Sequence, residues 1–207
     1  EALSELSFAG GVVGYLGGRG SLKNATITNG TINILAAKAG LMFGGIAAQA
    51  SADNVFVNVN ASMQIKAYKY GGFISGEIKG LLSNAYVYGY GVTGETFVLQ
   101  PYVPNGVGGI AGLLRDGGKI DTAYMNQGFV ISEETSAAIE IDTVDYVGGV
   151  VGRVECNNNK ISKVLVDASL TGRSTVGGIV GSVAQNGYII IDEVAIKKST
   201  FLLQGQT

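Results

Sequence analysis

The sequence predicts an all-β fold: a parallel β-solenoid (β-helix) of about six Gly-Gly-x-x-Gly repeats, right-handed, with roughly one coil per repeat. Three observations predict it. A glycine motif recurs at steps typical of solenoids, an apolar pair at period 2 follows each copy, and glycine far exceeds its usual share of about 7%.

The clearest copy is Val176-Gly177-Gly178-Ile179-Val180-Gly181. The others are Gly10-Gly11-Val12-Val13-Gly14, Gly44-Gly45-Ile46-Ala47-Ala48, Gly71-Gly72-Phe73-Ile74-Ser75, Gly108-Gly109-Ile110-Ala111-Gly112 and Gly148-Gly149-Val150-Val151-Gly152. Their second glycines fall at 11, 45, 72, 109, 149 and 178, in steps of 34, 27, 37, 40 and 29 residues. Glycine at one place in every repeat predicts one corner per coil, because it admits unusual backbone angles and close backbone approach. The fixed apolar residues after each Gly-Gly are not those of a flexible linker.

The second element is a small apolar residue, any residue, and another apolar one. The pairs are Ala25/Ile27, Val55/Val57, Ala85/Val87, Ala123/Met125, Val164/Val166 and Val194/Ile196. Alternation puts each pair on the inner face of a strand and the residue between them on the outer face. Asn, Asp, Thr or a charged residue usually comes just before, as at Asn24, Asn54 and Asn84.

Leu3, Leu6 and Phe8 lead into the first Gly-Gly as Leu41 and Phe43 lead into the second, and Phe201-Leu202-Leu203 stops where another motif would be due. Neither end resembles a polar capping repeat. Residues 1–207 are therefore expected to be a single solenoid domain, a fragment of a longer array or one whose ends partner chains cover. Excursions from the coil are expected near 94–106, with Pro101 and Pro104, and near 128–145. The second holds Glu133, Glu134, Glu140, Asp142 and Asp145, in an order that matches no calcium loop and reads as a solvated acidic stretch.

Composition narrows the function. Hydrophobic residues make up 46% of the chain and charged ones 14%, enough for a continuous core. The net charge of −2 has no basic run behind it, so nucleic acid is not an expected partner. No apolar run reaches the roughly 18–20 residues that span a bilayer. The single cysteine, Cys156, has no partner for an internal disulfide and reads as an unreactive thiol. The chain has no His and no Trp, which excludes His-based triads, dyads and metal sites. The glycine motif lacks the Gly-Lys-Ser/Thr ending of a phosphate loop and recurs where a nucleotide site is needed once. No catalytic residue, metal or cofactor is expected.

Stacked strands about 4.8 Å apart align equivalent residues in rows. The outward row is expected to read Thr26, Phe56, Tyr86, Tyr124, Leu165 and Ala195, with Tyr88 and Tyr90 extending it sideways. Exposed aromatic faces in line are suited to stacking on sugars or anchoring a protein. The candidate partner surface is therefore Phe56, Tyr86, Tyr88, Tyr90, Tyr124 and Leu165.

Gly-Gly-Ile-Val-Gly followed by strands such as Asn84-Ala85-Tyr86-Val87 resembles the GLUG-type repeats of bacterial surface adhesins, of IgA-cleaving surface proteases outside their catalytic part, and of large protist surface proteins. The resemblance spans essentially all 207 residues and departs at Ala48 and Ser75, in place of the third glycine. It implies a non-enzymatic extracellular or cell-surface segment serving as adhesive surface, stalk or spacer. It carries over no catalytic residues. Partners would be host or cell-surface glycans or proteins, or further copies end to end. Sequons at Asn24, Asn29 and Asn60 fit N-glycosylation in that setting. Two alternatives stand beside it: a structural filament or coat subunit joined through solenoid ends, and a carbohydrate-active β-helix enzyme.

Overall fold

The computed structural model of the chain describes residues 8–17, 21–32, 42–50, 55–67, 70–87, 99–101, 106–125, 130–131, 146–167, 169–172, 175–197 and 201–203. Among them every strand pairing is parallel, and every regular element is a strand. The architecture is that of a parallel β-helix. The first sheet joins Phe8–Gly10, Met42–Gly44, Tyr70–Gly72, Gly106–Gly108, Tyr146–Gly148 and Thr175–Gly177 in sequence order. The second joins Val13–Leu16, Ala47–Ala50, Ser75–Ile78, Ala111–Leu114, Val151–Val154 and Val180–Val183 in the same order.

The third sheet is built on Val55–Ala67, Leu81–Val87, Lys119–Met125, Asn159–Val166 and Ile189–Ile196, with Leu22–Lys23, Thr26–Ile32 and Leu99–Pro101 all pairing to Val55–Ala67. A small fourth sheet joins Val130–Ile131, Ser169–Gly172 and Phe201–Leu203. Sheet order thus follows chain order, as stacking each coil on the one before requires.

The Gly-Gly motif forms the corner between the first and second sheets. Its glycines serve close approach rather than special dihedrals: among the described glycines only Gly117 has a positive φ. A Cβ on Gly148 would overlap the carbonyl oxygen of Val151, and one on Gly152 would overlap the backbone nitrogen of Val107 in the preceding coil. Backbone therefore packs on backbone here, leaving no room for a side chain.

The third repeat corrects the expected register by one residue. Gly72 pairs with Gly44 and Gly108, and Ser75 pairs with Ala47 and Ala111. Gly72 is thus the first glycine of its corner, Phe73 replaces the second, and Gly76 rather than Ser75 is the third. The space decides it: a Cβ on Gly72 would crowd the Ser75 carbonyl and the backbone of Ile110 and Ala111. The second position admits Phe73, which lies 1% exposed in the core.

Inward rows make that core continuous. Ile78, Leu114 and Val154 align on the second sheet, Leu82, Ile120 and Ile161 on the third, and Ile46, Ile74, Ile110 and Val150 at the corner; all are buried. Each such side chain contributes about 1.5–3 kcal/mol by leaving water. The outer connections are tied down too. The Asn159 amide, itself buried, donates to the carbonyls of Glu155, Cys156 and Tyr188 at 2.9, 3.1 and 3.2 Å, linking two coils.

Candidate binding flank

The outer face of the third sheet carries the candidate site. Its strands bend at one repeated place, where Asn24, Asn84, Thr122, Lys163 and Glu193 have φ of 53°, 53°, 60°, 55° and 50°. This left-handed step interrupts the strict alternation, so that Ile161 and Val164, three apart, are both buried. Asn visits this region readily, whereas β-branched Thr122 is held there against its preference.

By backbone register the row just after the bend reads Thr26, Asn60, Tyr86, Tyr124, Leu165 and Ala195. Phe56 is not in it. It pairs with Leu22 and Leu82, in the row that continues through Ile120 and Ile161. The reason is register: Val recurs at 55, 57 and 59, so a slip by whole periods keeps apolar residues at the paired positions. Val59 and Ala61, not Val55 and Val57, are the apolar pair of that coil, because they pair with Ala85 and Val87. By the same register Asn58, rather than Asn54, lines up with Asn84.

Tyr86, Tyr124 and Leu165 are brought together, each half-buried, and with Thr122, Lys163 and Glu193 they line an open depression of about 510 Å³. Two tyrosines on adjacent coils and a cation and a carboxylate from the bend row are among its lining residues. Such a surface offers stacking area and hydrogen-bonding groups. Tyr88 and Tyr90 lie outside the described residues. Of the sequons, Asn24 is exposed at its bend, Asn29 lies within Thr26–Ile32, and Asn60 pairs with Thr26 and Tyr86. The carboxylates of the acidic excursion lie outside the described residues. Composition alone did not single out Thr122, Lys163 or Glu193; the polar residue preceding each apolar pair was the available signal.

A second polar cluster covers the outer face of the second sheet. Glu77 is fully buried, accepts from Nε of Arg115, and has the Lys79 ammonium 3.7 Å away. Asp116 lies 3.6 Å from Lys79 and 3.7 Å from Arg115. One coil on, Arg153 meets Glu155 at 2.9 Å and sits 5.1 Å over the Tyr146 ring, a cation–π geometry. The Tyr70 hydroxyl donates to Glu155 at 3.5 Å; burial, with the Glu155 charge adding to it, pushes that phenol up to about 12. A hydrogen bond to Asp116, then burial, raises the Cys156 thiol, so it is held away from the thiolate form. With three cations set among three carboxylates, the cluster is internally compensated and reads as a clamp between coils.

Searches against protein-family models, curated proteins and solved structures return no match to this chain. Among the described residues no group of three or more His, Cys, Asp or Glu is placed to hold a metal ion, and no helix is long and apolar enough to cross a membrane.

Proposed function

We propose that this chain is a non-enzymatic repeat segment that works outside the cell or at its surface, presenting the flank of Tyr86, Tyr124 and Leu165 to a glycan or protein partner. In this reading it is a GLUG-type array of six right-handed coils, one per Gly-Gly motif, with the remaining faces acting as stalk or spacer. One observation carries it: aromatic side chains from successive coils line one open depression of about 510 Å³. A sugar ring laid against these tyrosines gains stacking contact, and Lys163 and Glu193 line the same depression for its hydroxyl or acidic groups. A repeating surface also suits a repeating ligand, since weak contacts on successive coils add through effective concentration.

The test is binding of the purified chain to a broad glycan array, beside a Tyr86→Ala/Tyr124→Ala variant of unchanged circular dichroism. Binding by the parent that the variant loses supports the reading. Equal binding by both places the adhesive surface elsewhere, and no binding by either removes the glycan version. Shortening of a bound glycan during incubation would move the chain to the carbohydrate-active β-helix enzymes.

A further inference from the structure

The depression on the third sheet is longer along the stack than around it. Tyr86, Tyr124, Leu165 and Ala195 come from four successive coils, so its length covers three strand spacings, about 14 Å. Around the coil it takes in only Thr122 to Tyr124 and their counterparts on the next two coils, two residue steps or about 7 Å. A ligand that fills it is therefore extended along the stacking axis. A linear glycan has that shape, because each pyranose ring advances its chain by close to one strand spacing.

The order of side chains along that axis decides the charge. Two tyrosines come first, and they favour stacking on ring faces. Lys163 is the one cation among the lining residues. It is exposed, and no carboxylate among the described residues lies within 4.0 Å of its ammonium. Two nearby carboxylates are engaged elsewhere. Asp121 accepts from the hydroxyls of Ser162 and Thr122 at 3.0 and 3.4 Å, and Asp192 lies 3.8 Å from Lys160. Glu193, one coil beyond Lys163, is the one carboxylate among the lining residues and suits hydroxyls rather than a second acidic group.

We infer that the ligand of this flank is a linear acidic glycan lying along the stacking axis, one sugar per coil, with a carboxylate-bearing sugar at Lys163 and a neutral one at Glu193. This rests on the reading of the flank as a glycan site and narrows it to one class. Tyr86 and Tyr124 stack on two rings, the Lys163 ammonium meets the sugar carboxylate, and Glu193 accepts from hydroxyls of the following ring. Each contact alone is weak, so affinity comes from holding several at once on one chain.

Calorimetric titration of the full chain with oligosaccharides of increasing length tests this. The probes are hyaluronan and unsulfated chondroitin, in which acidic and neutral sugars alternate, beside neutral chito-oligosaccharides. Affinity for at least one acidic series should rise until the ligand covers the four coils, at about four sugars, then level off. It should weaken as salt rises. Lys163→Gln should lose about fivefold in affinity and most of the salt dependence, while Lys163→Arg keeps both. Four results would each overturn the inference: neutral oligomers binding as tightly as acidic ones, a disaccharide binding as well as a tetrasaccharide, neither acidic series binding, or Lys163→Gln binding unchanged. The glycan array with the Tyr86→Ala/Tyr124→Ala variant tells this failure from that of the broader reading. Binding through the tyrosines to neutral or branched glycans alone sinks the inference and leaves the flank a glycan site; no glycan bound at all removes both.

Discussion

The fully buried carboxylate of Glu77 accepts from the guanidinium Nε of Arg115, 38 residues later and one coil along. The two partners differ in what each leaves behind when removed. Arg115→Met takes the guanidinium from a buried carboxylate that keeps the Lys79 ammonium at 3.7 Å, and should cost about 3 kcal/mol. Glu77→Gln leaves two cations that are 25% and 30% exposed and open to water, so its cost should be smaller, about 1–2 kcal/mol. Urea denaturation at neutral pH should rank the two variants in that order. The reverse order would mean that the clamp is not what holds Glu77.

Phe73 offers a test in which the repeat motif and the packing disagree. Phe73→Gly restores Gly-Gly at that corner, yet empties a site that is 1% exposed in the core. We expect a loss of roughly 3–5 kcal/mol, as for other large-to-small core changes. A denaturation midpoint at or above the wild-type value would show that the motif outweighs the core.

Thr122 holds φ of 60° at the place where Asn24 and Asn84 each hold φ of 53°. Thr122→Asn and Thr122→Gly relieve a left-handed β-branched residue, and the Asn variant should gain roughly 0.5–1 kcal/mol. The hydroxyl contact to Asp121, at 3.4 Å, is too long to reverse that gain. Thermal melts of both variants check it.

Tyr70 makes alkaline stability measurable at one residue. Its phenol ionises near 12 in the folded chain and near 10 when unfolded. Between those values the unfolded state holds fewer protons, so stability falls as pH rises. The contribution is complete below about pH 10 and lost through about pH 12. Melting temperatures across that window should fall more for wild type than for Tyr70→Phe.

The coil and its corners were legible because glycine is irreplaceable where backbones touch: Gly44, Gly108, Gly148 and Gly177 align as their spacing predicts. Register was legible only where side chains differ in kind. Tyr86, Tyr124 and Leu165 share the row assigned to them, since Asn84-Ala85-Tyr86-Val87 has a single fit. Val55-Phe56-Val57-Asn58-Val59 fits at two offsets, and neighbouring strands, which local sequence does not encode, select between them. Tyr70-Gly71-Gly72-Phe73 misled for a similar reason. Two adjacent glycines mark a corner, but only clearance against Ser75 and Ala111 tells which of them turns it. The clamp around Glu77 joins Tyr70, Arg115 and Glu155 over 85 residues, and no local pattern announces pairs that distant.

Sheet order that repeats chain order has a mechanical result. From Gly148 to Gly177 the chain spends 29 residues to advance by one strand spacing, about 4.8 Å. Pulled straight, those residues reach about 100 Å. Tension at one end would load the outermost coil first, because each coil is held mainly by its neighbours. Peeling a single coil would then lengthen the tether by roughly twenty times the height it gave up, while the coils beneath stay intact.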